Sequence, residues 1–226
     1  MIKAILFDLE GTLIRVDTNN FMRNYLGLLA PRFAHFLSPD KFSKQLLKSW
    51  EFAQRESGPE QTVMQSFYED LSKAMGHSSQ ILQPVFEEFY EADFPTLKCL
   101  VQVVPQGVRI VNHALQRGFL TGVASNPDMP LEAMREYLSW AGLKPKQFKV
   151  IPAMDSFHYF KPQREYFQEL AEKLGLKPEN CLLVCSQTQD LVCRKIGMKV
   201  FLTGAPETAE EADYTGSFDD LFRLLG

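Results

Sequence analysis

The sequence predicts an α/β protein in which a parallel sheet, covered by helices on both faces, is interrupted near its start by an all-helical insert. Three observations carry this. A short apolar run, Ala4–Phe7, meets Asp8 and then a Gly11-Thr12 turn, as a buried parallel strand would. From Arg15 to Lys98 the apolar residues fall at helical spacing with no strand-like stretch. After Pro105 strands and helices alternate, which implies right-handed βαβ crossovers and hence parallel strands.

Taken in order, the insert places Phe21, Tyr25, Leu28 and Leu29 on one helix face. A second face collects Val63, Phe67, Leu71 and Met75, and a third Ile81, Val85, Phe86 and Phe89. Ser38-Pro39 reads as an N-cap with proline at the first helical position. Ser57-Gly58-Pro59 and Gly76-His77-Ser78-Ser79 read as breaks between helices. Beyond the insert, a helix is expected over Gln106–Arg117, a strand over Phe119–Ala124, and a helix over Pro130–Trp140. A short strand near Phe148–Ile151 follows, then a helix over Pro162–Leu174 and a strand over Cys181–Val184. Asp190–Ile196 is helical, and Lys199–Leu202 is the last strand. The domain division that follows is residues 1–14 with 99–226 for the α/β core, and 15–98 for the helical domain.

The bulk properties narrow the function. At 226 residues and 45% hydrophobic, the chain can bury a full core. A net charge of -4 gives no reason to expect nucleic acid or an anionic membrane as partner. Four cysteines, Cys99, Cys181, Cys185 and Cys193, form neither a disulfide framework nor a CxxC pair, so a cytoplasmic setting is expected. The opening apolar run is too short for a signal peptide, and no stretch is long enough to span a bilayer.

In a parallel α/β sheet, ligands bind beyond the carboxyl ends of the strands, so the polar residues just after each apolar run are the candidates. Four such places stand out: Asp8-Leu9-Glu10-Gly11-Thr12, Ser125-Asn126, Lys161-Pro162, and Cys185-Ser186-Gln187-Thr188-Gln189-Asp190. Their order and spacing resemble the four motifs of the haloacid dehalogenase superfamily of Asp-nucleophile hydrolases. Val104-Pro105-Gln106-Gly107-Val108, and the closing Ala212-Asp213-Tyr214 with Ser217–Leu221, are similar to that family too. The resemblance covers the whole chain and implies a Rossmann-like core, with residues 15–98 as its helical cap.

The resemblance implies roles. Asp8 is the nucleophile, attacking a phosphoryl group to give an aspartyl phosphate. Glu10 is the general acid/base. Lys161 offsets the negative charge of the reacting groups, and Mg²⁺, held by Asp8, Glu10 and Asp190, supplies the rest. Ser125 and the backbone N–H of Asn126, with Lys161, bind the phosphoryl oxygens. The expected activity is hydrolysis of small phosphorylated metabolites.

Two positions depart from the pattern. Glu10 stands where the family's phosphatases carry Asp, moving the carboxylate outward by one methylene, about 1.5 Å. After the strand at Cys181, where the family offers a first metal-binding Asp, this chain has Ser186 and Gln187, and only Asp190 remains. The sequence leaves open which of the two fills that place. Two alternatives follow: a catalytically degenerate member with a binding or regulatory role, and a metal-independent 2-haloacid dehalogenase, whose fourth motif is neutral. The substrate-selecting residues are expected in the insert, where Arg15, Arg23 and Arg32 are available cations. His158 is expected to be incidental, and His35, His77 and His113 show no metal-ligand spacing.

Overall fold

A computed structural model describes residues 1–204 and 211–226. Strand β1 (Ala4–Phe7) runs inside the main sheet, with a neighbouring strand on each side. A three-residue strand β2 (Ile14–Val16) follows the Gly11-Thr12 turn, and four helices come next: α1 (Thr18–Arg32), α2 (Pro39–Arg55), α3 (Val63–Met75) and α4 (Ser79–Ala92). A 3-10 helical stretch (Phe94–Leu100) leads into strand β3 (Val101–Val103), which pairs antiparallel with β2, Ile14 opposite Val103. This ribbon, absent from the sequence prediction, ties the two ends of the helical insert together.

The chain then alternates as predicted: helix α5 (Pro105–Gln116), strand β4 (Leu120–Val123), helix α6 (Leu131–Trp140), helix α7 (Arg164–Lys173) and strand β5 (Cys181–Cys185). Thr188–Ile196 forms 3-10 turns, where a helix from Asp190 was expected. Strand β6 (Lys199–Thr203), strand β7 (Tyr214–Gly216) and helix α8 (Phe218–Leu225) complete the described chain.

The main sheet has the order β4-β1-β5-β6-β7 and every pairing in it is parallel. The strand predicted at Phe148–Ile151 does not form. Only Val150 makes a single bridge to Gly122, with Val123 N–H donating to the Val150 carbonyl at 3.0 Å, so the segment is an extended flank of β4 rather than a strand. Because β1 lies between β4 and β5, the chain first crosses to one side of β1 and later to the other. That reversal opens a crevice at the carboxyl end of β1.

Side-chain alternation along each strand feeds two cores. Ile5, Phe7, Val123, Leu182, Val184 and Phe201 join the larger cluster with α5, α6, α8 and the insert, while Ala4, Leu6, Leu183, Cys185, Val200 and Leu202 face α7. Within the insert, Phe21, Tyr25 and Leu29 are buried as predicted, but Leu28 is exposed. In α4 the buried residues are Leu82, Phe86 and Phe89, not Ile81, which lies one residue off that stripe and is exposed. Helix α3 begins with a capping box in which Gln65 N–H donates to Thr62 Oγ1 and Thr62 N–H donates to Gln65 Oε1. Among the described residues no helix is long and apolar enough to cross a membrane, and all four cysteines are free.

Candidate active site

Strand β1 delivers Asp8 to the sheet edge with its backbone held by the neighbouring strand, Asp8 N–H donating to the Val184 carbonyl at 2.9 Å. The turn that follows needs Gly11. Its φ is +82°, and a Cβ there would collide with the Ser186 hydroxyl. Strand β4 ends at Val123 and, through Ala124, hands Ser125 and Asn126 to the same edge, and β5 does so for the Ser186–Asp190 stretch.

The fold brings Asp8, Lys161 and Asp190 into one ion cluster. Lys161 Nζ donates to Asp8 Oδ1 at 2.9 Å and lies 2.6 Å from Asp190 Oδ2. Lys161 is the cation paired with the fully buried Asp190 among the described residues. Lys161 is held from behind: its backbone N–H donates to Asn126 Oδ1 at 2.9 Å. Tyr166, fully buried, donates its hydroxyl to the Ser125 carbonyl at 2.6 Å and fixes that turn. The Ser125 hydroxyl itself is buried and without a partner among the described residues, an open donor and acceptor on the cavity that Asp8 also lines.

A cavity of about 330 Å³ opens onto this cluster, lined among others by Asp8, Glu10, Ser125, Asn126, Lys161 and Gln187. Gln187 and Gln189 stand on its wall, whereas Ser186 lies against Gly11 in a neighbouring cavity. Of the two residues at the missing acid, Gln187 is therefore the one facing the cavity. Asp190 is fully buried behind Lys161 and does not line it.

The site is rich in acid. Burial raises the Asp8 carboxyl above its ordinary value, although Lys161 pulls it back. Burial and then the Asp8 charge raise Glu10. Asp190 is pushed up to about 6 by burial against the opposing pull of Lys161. Burial alone would lower Lys161, but the Asp8 and Asp190 charges more than offset it and raise that ammonium. A residue that the sequence motifs do not single out also lines the cavity: Asp128, an exposed residue whose carboxyl is raised by desolvation among its neighbours and then by Glu10. Tyr137 closes the same wall. No motif marks Asp128; it is read as an ordinary turn residue until the fold points it at Glu10.

His158, expected to be incidental, has a local task. Its backbone N–H donates to Glu169 Oε2 at 3.0 Å and its Nδ1 lies 2.8 Å from Glu169 Oε1, anchoring the segment before Lys161 onto α7.

Donors for a divalent cation are few. Among the described residues no three His, Cys, Asp or Glu side chains converge as a metal group. Mg²⁺, however, typically relies on one or two carboxylates and keeps several waters. Among the described residues Lys161 is the only cation lining the cavity, against the carboxylates of Asp8, Glu10 and Asp128. That charge excess fits a hydrated Mg²⁺.

Similarities to known proteins agree with this geometry. Residues 2–184 match the family model of the haloacid dehalogenase-like hydrolases. Among solved structures, a HAD phosphatase from Thermococcus onnurineus is similar at 20% identity and a TM-score of 0.61, with 100% of this chain and 98% of that one covered. An L-2-haloacid dehalogenase from Xanthobacter autotrophicus, with chloropropionic acid covalently bound, is similar at 18% identity and a TM-score of 0.57, again over 100% and 98%. A predicted phosphoglycolate phosphatase from Haemophilus somnus reaches 18% identity and 0.58 over the same shares. No curated protein sequence matches. The family match spans most of the chain, and the parallel sheet flanked by helices accords with it: this chain belongs to the haloacid dehalogenase-like hydrolases.

Proposed function

We propose that the chain hydrolyses phosphate monoesters of small metabolites through an aspartyl phosphate on Asp8. The observation that carries this reading is the Asp8 carboxylate just past the carboxyl end of β1, one oxygen held by Lys161 at 2.9 Å and the carboxylate lining the cavity. Asp8 Oδ2 attacks phosphorus, and the ester P–O bond breaks. Glu10, whose raised carboxyl favours carrying a proton, donates it to the leaving oxygen. Water then attacks phosphorus and gives its proton to Glu10, and inorganic phosphate leaves with Asp8 restored. Lys161 and the unpartnered Ser125 hydroxyl hold the transferring oxygens, with the Asn126 backbone N–H beside them.

Mg²⁺, when bound by Asp8 with Glu10 and Asp190 nearby, would supply the positive charge that a phosphate dianion needs in so acidic a cavity. Residues 15–98, bounded by the β2–β3 ribbon, act in this reading as a cap over a core of 1–14 and 99–226. The free cysteines suit a reducing cytoplasm.

A second reading is a metal-independent dehalogenase, favoured by the neutral Gln187 on the cavity wall. Against it, Glu10 and Asp128 would repel the carboxylate of a haloacid. A third, a silent member that only binds, is favoured by the sealed position of Asp190. A panel of phosphate monoesters assayed for phosphate release with and without Mg²⁺, beside a 2-haloacid assayed for halide, separates the three. The proposal expects Mg²⁺-stimulated phosphate release that Asp8→Asn abolishes. Metal-independent halide release, or no turnover of any ester, would replace it.

A further inference from the structure

A second cavity of about 690 Å³, large enough for a small organic molecule, opens between the helical insert and Pro130, Glu132 and Met154 of the core. Six rings line it: Tyr25, Trp50, Phe67, Tyr68, Phe86 and Tyr90. They touch one another, Tyr25 to Trp50 at 5.8 Å between centroids, Trp50 to Phe67 at 6.3 Å and Tyr68 to Phe86 at 5.9 Å, so the aromatic wall is continuous. Trp50, Tyr68 and Tyr90 are only half-buried.

The charged lining is all of one sign. Glu87, Glu91 and Glu132 contribute carboxylates, and among the described residues no Lys, Arg or His lines the cavity. None of the three glutamates takes part in an ion pair among the described residues. Aromatic faces carry negative potential and attract cations, most strongly those with little hydration to lose. An anion is excluded by the carboxylates. A bare metal ion would find mostly carbon around it, whereas a charge clothed in methyl or methylene groups satisfies both walls and rim.

We propose that this cavity binds a small organic ammonium cation, its charge against the ring faces and its carbon groups in the apolar wall. The cavity shares a partition with the catalytic one. Asp128 and Met129 line the latter, Pro130 and Met154 the former, and Met154 N–H donates to the Met129 carbonyl at 2.9 Å. A ligand seated here would lie next to the reacting groups. The inference concerns binding alone and stands apart from the hydrolase reading.

Calorimetry on the full chain tests it with two probes of one shape, choline and its neutral isostere 3,3-dimethylbutan-1-ol. The expected result is about tenfold or greater preference for choline. The combined variant Glu87→Gln, Glu91→Gln, Glu132→Gln, all at exposed positions, should erase most of that preference while leaving the alcohol's affinity in place. Trp50→Leu should weaken choline about three- to tenfold. Equal affinity for the two probes, no choline binding at millimolar concentration, or a preference that survives the triple variant would each overturn the proposal.

Discussion

At the scale of single residues, the buried polar groups at the end of β1 have opposing effects on stability and activity. The Ser125 hydroxyl is buried and has no hydrogen-bond partner among the described residues, so it contributes little to stability. Ser125→Ala is therefore expected to leave the thermal midpoint within about 2 °C while lowering kcat/KM about 10- to 100-fold, a charge-assisted hydrogen bond's worth of transition-state binding. Parallel melts and kinetics check this; a large loss of stability with unchanged activity would mean the hydroxyl is structural. Asp190 is the converse case. Its carboxyl is raised to about 6 from an ordinary 3.8, so the folded state holds the proton more tightly than the unfolded chain. The stabilisation from that protonation is complete below the ordinary value and is lost as pH rises through about 6. Asp190→Asn should then stabilise the metal-free protein above neutrality, by up to about 3 kcal/mol, and the gain should vanish near pH 4. Melts across that range in EDTA would show it, and a uniform loss at all pH values would mean that the pairing with Lys161 outweighs desolvation.

Between elements, the join of insert to sheet rests on aromatic packing. Phe94, fully buried, stacks on Trp140 at 5.1 Å and Tyr137 at 5.8 Å from α6, and meets Phe89 of α4 at 6.2 Å and Phe21 of α1 at 6.4 Å. Phe94→Ala removes the ring common to all four and should cost about 3–5 kcal/mol. Denaturant titration is the check, and a cost below about 1 kcal/mol would mean the insert is held by other contacts. Elements were legible in the sequence where they were long or evenly patterned, as in α5, β4 and β5. The β2–β3 ribbon was not, because three-residue strands show no alternation and their partners, Ile14 and Val103, lie far apart in the chain. The strand expected at Phe148–Ile151 failed for the opposite reason: an apolar run suited to a strand found one bridging partner, Gly122, beyond the sheet's last full pairing. Ile81 shows a smaller version of the same limit, since a shift of one residue in helical phase moves a side chain from core to solvent.

Over the whole molecule, the site was legible to the extent that each residue follows a strand. Asp8, Ser125, Asn126 and Asp190 sit just past β1, β4 and β5, so periodicity alone marked their places, and Lys161 was marked by the proline beside it. Asp128 was hidden because its meaning comes from facing Glu10 across a cavity that exists only once the insert has packed on the core. The same packing leaves the aromatic cavity between the insert and Pro130, Glu132 and Met154, next to the acidic one. The account depends most on Asp8 forming a covalent bond to phosphorus. Acid-quenching the enzyme during turnover of a phosphate monoester, digesting it at low pH and weighing the peptides by mass spectrometry tests this directly. A phosphoryl group on the peptide carrying Asp8, absent from Asp8→Asn, is the predicted result; turnover with that peptide unmodified at every quench time would contradict it.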